Sequence, residues 1–115
     1  MTMPSSENHS HEASILHSSD NGFLVYCPGC DRFKLAFGTF WLSQDITEIR
    51  SLAALINRYN HHYFRRAKRT RRDIFVDGPH PDFGLLMSPR DLEQLNHILQ
   101  TGLLVLEAGG RVRLQ

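Results

Sequence analysis

The amino-acid sequence predicts one α+β domain, in which an antiparallel sheet packs against two amphipathic helices. The chain has 115 residues and an ordinary globular composition, with 41% hydrophobic and 22% charged residues, so one domain with a modest core is expected. Runs of β-forming residues with a period of two precede two stretches in which apolar residues recur at helical spacing. The elements therefore follow one another in the order ββα-ββα, for which an antiparallel sheet with two helices is the economical arrangement.

Residues 1–20 are expected to form a disordered tail, and residues 21–115 the domain. The opening stretch, MTMPSSENHSHEAS, is too polar to pack, and it lacks the basic and then apolar order of a secretory signal. No run of residues approaches the roughly 18 apolar positions that a membrane span needs. These observations predict a cytoplasmic protein without membrane contact, in which the two cysteines would usually stay reduced.

Two strands are expected before the first helix. The run Phe23–Tyr26 consists of β-forming residues and follows a turn signal, so it predicts a short strand. The run Lys34–Leu42 is apolar on both of its faces, which predicts a central strand covered on both sides, with Trp41 at least partly buried. Gly38 within this run suggests a close backbone approach or a bulge.

The first helix is expected to run from Gln44 to Arg66. Asp45 and Glu48 have the spacing of an N-cap and its capping-box partner. Apolar residues then recur at helical spacing as far as Tyr63. Together with the second helix and the long strand, this stripe predicts a core that contains Phe37, Phe40, Leu52, Ile56, Leu92, Leu95 and Leu99.

A second pair of strands and a second helix follow. Asp73–Asp77 and Phe83–Met87 are short β-forming runs on either side of a proline-containing loop. Ser88 is the expected N-cap of the second helix, and Asp91 stands at the position of its capping-box partner. This junction predicts a well-defined helix start.

The end of the second helix has two interpretations. In the first, the helix continues past Gly102 to Glu107, and Gly109-Gly110 ends it. In the second, the helix stops at Gly102, and residues 103–114 form a hairpin. The continuous apolar stripe across Gly102 favours the longer helix.

Two stretches of the chain are alike. Phe37-Gly38 leads through a serine into a capped amphipathic helix, and Phe83-Gly84 does the same. An internal duplication would explain this likeness. Strand-to-helix junctions also share such chemistry without a common origin, so both explanations stay open.

Cys27 and Cys30 stand in a Cys-Pro-Gly-Cys sequence between two expected strands. Thiolates at this spacing can hold one side of a tetrahedral zinc site, similar to a zinc-ribbon knuckle. Two further ligands are needed, which histidines or the cysteines of a second subunit could supply. A plain turn with reduced thiols and a reversible disulfide are the alternatives. The candidate metal ligands are Cys27, Cys30, His17 and His80.

The stretch from Tyr59 to Arg72 mixes aromatic residues with six positive charges and contains no acidic residue. Arginines neutralise phosphates and release counterions, and exposed aromatic residues can stack on bases, which predicts a surface for nucleic acid or another polyanion. The alternatives are a solvated helix end, an acidic protein partner, and internal pairing with an acidic group of this chain. The candidate polyanion-binding residues, here called the basic segment, are Arg65, Arg66, Lys68, Arg69, Arg71 and Arg72.

Three short motifs carry a resemblance to a known family: Cys27–Cys30 (CPGC), Leu35–Thr39 (LAFGT) and Leu42-Ser43. With these motifs the chain resembles an uncharacterised family of small bacterial proteins, largely from Bacteroidota, catalogued as a domain of unknown function. The likeness covers roughly Gly22 to Glu107. The family has no assigned activity, so the resemblance implies no catalytic role, and the basic segment is not part of the shared pattern.

No pattern typical of an enzyme is found, since the sequence has neither a nucleophile elbow nor a Gly-rich phosphate loop. We therefore expect a non-catalytic protein, namely a small cytoplasmic binding or adaptor protein with an Arg-rich polyanion-binding surface. One alternative is a zinc-binding or redox-sensitive protein that uses Cys27 and Cys30. The other is a homo-oligomer whose role is that of a scaffold.

Overall fold

The computed structural model describes residues 13–77 and 82–113, and these contain six strands and two helices. Strands β1 to β4 form an antiparallel sheet in sequential order, and β5 and β6 form a separate antiparallel hairpin. The α+β class is confirmed, and the ββα order is partly confirmed because four strands rather than two precede the first helix. The elements are β1 (Ser14–Ser19), β2 (Gly22–Cys27), β3 (Arg32–Phe37), β4 (Phe40–Gln44), α1 (Ile46–Tyr63), β5 (Ile74–Asp77), β6 (Gly84–Met87) and α2 (Pro89–Arg113).

Strand β1 lies in the segment for which the sequence predicted a disordered tail, so that prediction is wrong for Ser14–Ser19. This strand pairs with β2 along its length, with an irregularity between Ile15 and His17. Of its six residues only Leu16 is buried, because β1 is an edge strand whose order comes from backbone pairing rather than from many apolar contacts. The polar composition of β1 is therefore the reason that the sequence analysis did not predict this strand. Residues 1–12 of the predicted tail lie outside the described residues.

Two strands occupy the run Lys34–Leu42, which was predicted to be a single central strand. Phe37 of β3 pairs with Phe40 of β4, so Gly38 and Thr39 form a two-residue turn. The φ angle of Gly38 is 58°, a backbone conformation that glycine adopts without steric cost. Glycine at the first position of such a turn is typical of a type II′ hairpin. The prediction failed because the apolar pattern continues through the turn and one glycine alone marks the reversal.

A single hydrophobic core joins the inner face of the four-stranded sheet, both helices and the β5–β6 hairpin. Alternate residues of β3, Phe33 and Leu35, point into this core, and so do Ile74 and Val76 of β5. The alternation arises because successive side chains of a strand point to opposite faces. The predicted core is confirmed: Phe37, Leu52, Ile56, Leu92, Leu95 and Leu99 are buried, and Phe40 packs half-buried against them.

The opposite side of the four-stranded sheet, here called the outer face, is open to solvent within the described residues. The strand register places Phe23 opposite Ala36 and Ala36 opposite Trp41, so these three side chains form a row across the sheet. Trp41 is 64% exposed and Phe23 is 39% exposed. Trp41 therefore contradicts the prediction of partial burial, because β4 is an edge strand and Trp41 points away from the core.

The first helix starts at the predicted capping box. The Asp45 carboxylate accepts a hydrogen bond from the Glu48 backbone N–H at 2.8 Å, and the Glu48 carboxylate accepts one from the Asp45 N–H at 2.9 Å. The helix ends at Tyr63, and a 3-10 turn, Phe64–Arg66, continues to the residue at which the predicted helix ended. Both boundaries follow from local signals, which is why the sequence located them closely.

The second helix begins at the predicted Ser88 cap and runs to Arg113. The hairpin interpretation of residues 103–114 is therefore wrong over the described residues, and so is the predicted end at Gly109-Gly110. Gly102 does not end the helix because it serves packing: a Cβ atom placed there would lie 2.6 Å from Cδ2 of Leu24. Although α2 has 25 residues, neither described helix is both long and apolar enough to cross a membrane.

The two similar stretches do not occupy equivalent positions in the fold. Gly38 forms the turn between β3 and β4, whereas Gly84 is the first residue of β6. The first helix follows a four-stranded sheet, and the second follows a two-stranded hairpin. Both stretches nevertheless end in a strand that leads into a capped helix, so internal duplication and shared capping chemistry both stay hypotheses.

The close approach of α2 to β2 makes Gly102 sensitive to substitution. We expect Gly102→Val to lower the free energy of unfolding by about 1–3 kcal/mol, because a branched side chain there collides with the buried Leu24. Gly109→Val is the matched control, since nothing lies within 4 Å of a Cβ atom at Gly109. Urea unfolding followed by circular dichroism measures both changes. Equal effects of the two substitutions would contradict this account of Gly102.

The carboxylate of Asp91 makes part of the stability depend on pH. Burial alone would raise the pKa of Asp91, but hydrogen bonds from Arg72 and from the Ser88 backbone outweigh burial and hold this pKa below its ordinary value of 3.8. A carboxylate whose pKa is lower in the folded chain stabilises the fold above its unfolded pKa. That stabilisation is lost as the pH falls through the folded value.

We expect Asp91→Asn to lower the free energy of unfolding by about 1 kcal/mol at neutral pH, because the amide has no charge to hold Arg72. The difference from the wild type should shrink as the pH falls below 3.8. Urea unfolding at a series of pH values measures it. Asp73→Asn is the control, since the Asp73 carboxylate lies 3.6 Å from the Arg71 guanidinium on the surface, where such a pair stabilises little. A deficit of Asp91→Asn that stays constant with pH would refute the role of the charge.

Candidate functional site

The basic segment joins the end of α1 to β5 and has a backbone fixed by hydrogen bonds. Within it, the Ala67 N–H donates to the Phe64 carbonyl at 3.2 Å, and the Arg69 N–H donates to the Arg66 carbonyl at 2.9 Å. The Arg69 carbonyl in turn accepts from the Arg90 N–H of α2 at 3.0 Å. The segment is therefore tied to the first turn of α2, and all six of its basic side chains are exposed.

Two of the six cations have acidic partners within the chain. Nε of Arg72 lies 2.8 Å from Oδ2 of Asp91, and this contact raises the pKa of the Arg72 guanidinium. Nε of Arg71 lies 3.6 Å from Oδ2 of Asp73, and both of these side chains are mostly exposed. Internal pairing with acidic groups was one of the alternatives in the sequence analysis. It applies to the C-terminal end of the basic segment, at Arg71 and Arg72. Arg72 has a structural role because its partner caps α2.

The other four cations, here called the basic cluster, are Arg65, Arg66, Lys68 and Arg69. No carboxylate of the described residues forms an ion pair with any of them. Their like charges repel one another, and solvent ions screen this repulsion only in part. An anionic ligand would relieve it, so the cluster is an unsatisfied positive surface.

An exposed aromatic ring lies next to the basic cluster. Phe64 is 54% exposed, and the guanidinium carbon of Arg65 lies 5.9 Å from its ring centroid. The ring of His61 stacks on Phe64 at 6.0 Å with an interplanar angle of 23°. The sequence analysis did not single out Phe64, because this residue directly follows Tyr63 and the pattern alone does not show which of the two adjacent rings is exposed. Tyr59 and Tyr63 lie on the apolar stripe and pack half-buried against the core, as expected.

The cysteine turn, Cys27 to Asp31, connects β2 to β3. Neither cysteine forms a disulfide, and Sγ of Cys30 lies 3.9 Å from the Cys27 carbonyl. A hydrogen bond with the Cys27 side chain, together with burial and the proximity of Cys27, raises the pKa of the Cys30 thiol. The raised pKa favours the thiol form of Cys30, which is a poorer nucleophile than the thiolate.

The structure does not bring His17 to the cysteine turn. His17 lies on β1 opposite Leu24, and its ring contacts the ring of His97 on α2 with a centroid distance of 5.0 Å. His80 lies outside the described residues. Over residues 13–77 and 82–113, no three His, Cys, Asp or Glu side chains are grouped so as to hold a metal ion. The described part of one chain therefore offers two thiols at this turn, and a zinc site would need further ligands.

A shallow cleft of about 550 Å³ lies between the β1–β2 turn and α2. Asp20 and Asn21 border it on one side, and Arg90, Glu93 and His97 border it on the other. The Asn21 amide donates a hydrogen bond to the Gln94 side chain across the cleft. The residues that line the cleft include one arginine and two carboxylates, so the cleft does not select a ligand of one charge.

A comparison with known families agrees with the resemblance seen in the sequence. The model of a family of unknown function, DUF6686, matches residues 9–103. The matched region starts before β1 rather than near Gly22, and it ends within α2, so it contains both sheets and the basic segment. No curated protein and no solved structure matches the chain. Because the match covers most of its length, the chain belongs to the family of unknown function DUF6686.

Proposed function

We propose that this protein is a small binding or adaptor protein that holds a polyanion through the basic cluster. One observation carries the proposal: four exposed cations stand together on an ordered backbone, and no described carboxylate pairs with them. A solvated helix end needs only one or two cations to satisfy its last carbonyl groups and its dipole. The density of charge in the cluster exceeds that need.

Phosphate groups are the anions that fit this surface best. Arginine presents several N–H donors in a planar fork that matches the oxygens of a phosphate, and three of the four residues are arginines. Each phosphate that is neutralised releases condensed counterions, which favours binding through entropy. Contacts of this kind are made to the backbone of a nucleic acid or to another polyphosphate, so they are largely independent of base sequence.

The proposal places the protein in the cytoplasm and assigns no catalytic step to it. The absence of a disulfide at Cys27 and Cys30 is compatible with a reducing compartment. The basic cluster contains groups that bind and position anions, and the raised pKa of Cys30 argues against a thiolate nucleophile at the cysteine turn.

A second candidate function is zinc binding between two copies of the chain. It is favoured by the proximity of Cys27 and Cys30, since Sγ of Cys30 lies 3.9 Å from the Cys27 carbonyl on the same turn. Two such turns would supply four thiolates, the ligand set of a structural zinc site. This candidate would also make the protein a homo-oligomer, because the metal would link the two copies.

The first prediction from the polyanion proposal concerns salt. We expect the protein to bind an oligonucleotide or heparin with an affinity whose logarithm falls linearly with the logarithm of salt concentration. Arg65→Gln combined with Arg66→Gln should reduce that slope by about 0.7–0.9 for each phosphate that the variant no longer neutralises. Fluorescence anisotropy of a labelled oligonucleotide at a series of salt concentrations measures the slope.

The matched control replaces Arg50 and Arg58, which are also exposed and lie on α1, with glutamine. This variant has the same net charge as the first, so an effect of total charge would appear in both. The two variants differ only in where the positive charges are removed. Equal slopes in the two variants would show that the basic cluster is not the binding surface, and no binding at low salt would overturn the proposal.

The zinc candidate predicts metal in the purified protein. Elemental analysis should then find about one zinc ion per two chains, and Cys27→Ser combined with Cys30→Ser should remove both the metal and the dimer. Sedimentation velocity with and without a chelator measures the second effect. A metal-free monomer that keeps its melting temperature in chelator would rule this candidate out.

A further inference from the structure

The outer face carries exposed apolar side chains and a cation without a carboxylate partner among the described residues, and the proposed function does not use them. The row Phe23–Ala36–Trp41 crosses three strands, and the next row places Ile15, Val25 and Lys34 on the same side of the sheet. Ile15 is 70% exposed. Isolated exposed apolar residues are common on proteins, but contiguous rows that include a tryptophan mark binding surfaces.

The charge of this face is positive. None of the residues in β1 to β4 is acidic, whereas β3 contributes both Arg32 and Lys34. Arg32 has a partner from α1, since its Nη2 lies 4.0 Å from the Glu48 carboxylate. Lys34 has an aromatic partner instead, because its ammonium group lies 5.2 Å from the centroid of the Trp41 ring. The face therefore combines exposed aromatic rings with a cation that no described carboxylate pairs.

A second copy of this chain does not complement such a surface. If two outer faces packed together, both Lys34 ammonium groups would enter an apolar interface to which the strands bring no carboxylate. Burying a charge without a partner is strongly unfavourable. A suitable occupant must instead bring planar apolar groups for the rings together with negative charge for Lys34.

Described contacts lead from the basic cluster toward this face. The Arg69 carbonyl accepts from Arg90, and Arg90 borders the same cleft as Asn21 in the β1–β2 turn. The Asn21 carbonyl accepts from the Gly38 N–H of the β3–β4 turn at 2.9 Å. The row Phe23–Ala36–Trp41 lies beside these two turns. A single extended strand that passes these two turns would reach both the basic cluster, which is tied to α2, and the outer face.

From these observations we infer that the outer face binds the bases of a single-stranded nucleic acid, with stacking on Trp41 and Phe23. The inference rests on the proposed function, since the phosphates of the same strand are the anions for the basic cluster. Bases are planar and apolar on their faces, and each is linked to a phosphate, which is the combination that this face requires. Base stacking on aromatic side chains tolerates any base, so the strand is bound without strong sequence preference.

The only tryptophan of the chain provides the test. At low salt, an oligothymidylate of about 12 nucleotides should quench the emission of Trp41, because stacking brings a base onto the indole ring. Inorganic polyphosphate of similar charge should bind and leave this emission unchanged, because it has no bases. Isothermal titration calorimetry gives the affinity of both ligands independently of fluorescence.

Variants separate stacking from charge. Trp41→Ala should weaken oligothymidylate binding about 5- to 100-fold, the effect of removing one base–aromatic stack, and should leave polyphosphate binding within about twofold. Phe75→Ala is the matched control, since Phe75 is 77% exposed but lies on the β5–β6 hairpin. Circular dichroism and urea unfolding verify that both variants fold. An equal loss of oligothymidylate affinity in Phe75→Ala would overturn the assignment of the bases to the outer face.

The remaining outcomes distinguish this inference from the proposed function. If neither ligand binds at low salt, the proposed function fails. A third outcome is that both ligands bind and that both lose affinity in the Arg65→Gln, Arg66→Gln variant. If oligothymidylate then leaves the emission of Trp41 unchanged and Trp41→Ala binds it with the wild-type affinity, the proposed function stands and the inference is wrong. It is also wrong if polyglutamate perturbs Trp41 as strongly as oligothymidylate does, which would identify an acidic protein partner. Self-association that Trp41→Ala abolishes would identify a second copy as the occupant.

Discussion

The carboxylate of Asp91 links the start of the second helix to the basic segment. It accepts hydrogen bonds from the Ser88 N–H and from the Arg72 guanidinium, so it fixes the start of α2 and the end of the basic segment together. The start of a helix sets which of its faces meets the core, and α2 contributes several fully buried side chains. The same contact takes Arg72 out of the positive surface and leaves the basic cluster as its unpaired part.

Local signals in the sequence were sufficient for the helices and for most of the core. Both capping boxes depend on residues three positions apart, and the apolar stripes repeat every few residues, so neither needs knowledge of distant contacts. To predict the β3–β4 turn and strand β1, by contrast, one has to know which strands pair with each other. Gly38 marks a reversal only because β4 pairs with β3, and β1 is ordered by pairing with β2 although Leu16 is its one buried residue.

The candidate surfaces, like the fold, were predictable from the sequence only where a local pattern was sufficient. The basic segment was visible as a local density of charge, but its separation into paired and unpaired cations was not, because Asp91 lies 19 residues from Arg72. Phe64 and Trp41 were hidden for a related reason. Each follows an aromatic residue that packs against the core, Tyr63 and Phe40 respectively, and composition cannot tell which of two adjacent rings faces solvent. The alternation of a strand or the turn of a helix decides this only once its register is known.

The length of α2 implies that its two ends differ in local stability. From Leu92 to Gly102 the helix has a buried face, whereas Leu104 and Val105 are exposed and Leu106 is the last side chain of the described set that packs against the core. Backbone amides near the start open to solvent only when the whole domain unfolds, so their hydrogen exchange is slow. Around Leu104 and Val105 fewer side chains hold the helix to the core, so local opening costs less free energy and the amides there should exchange faster.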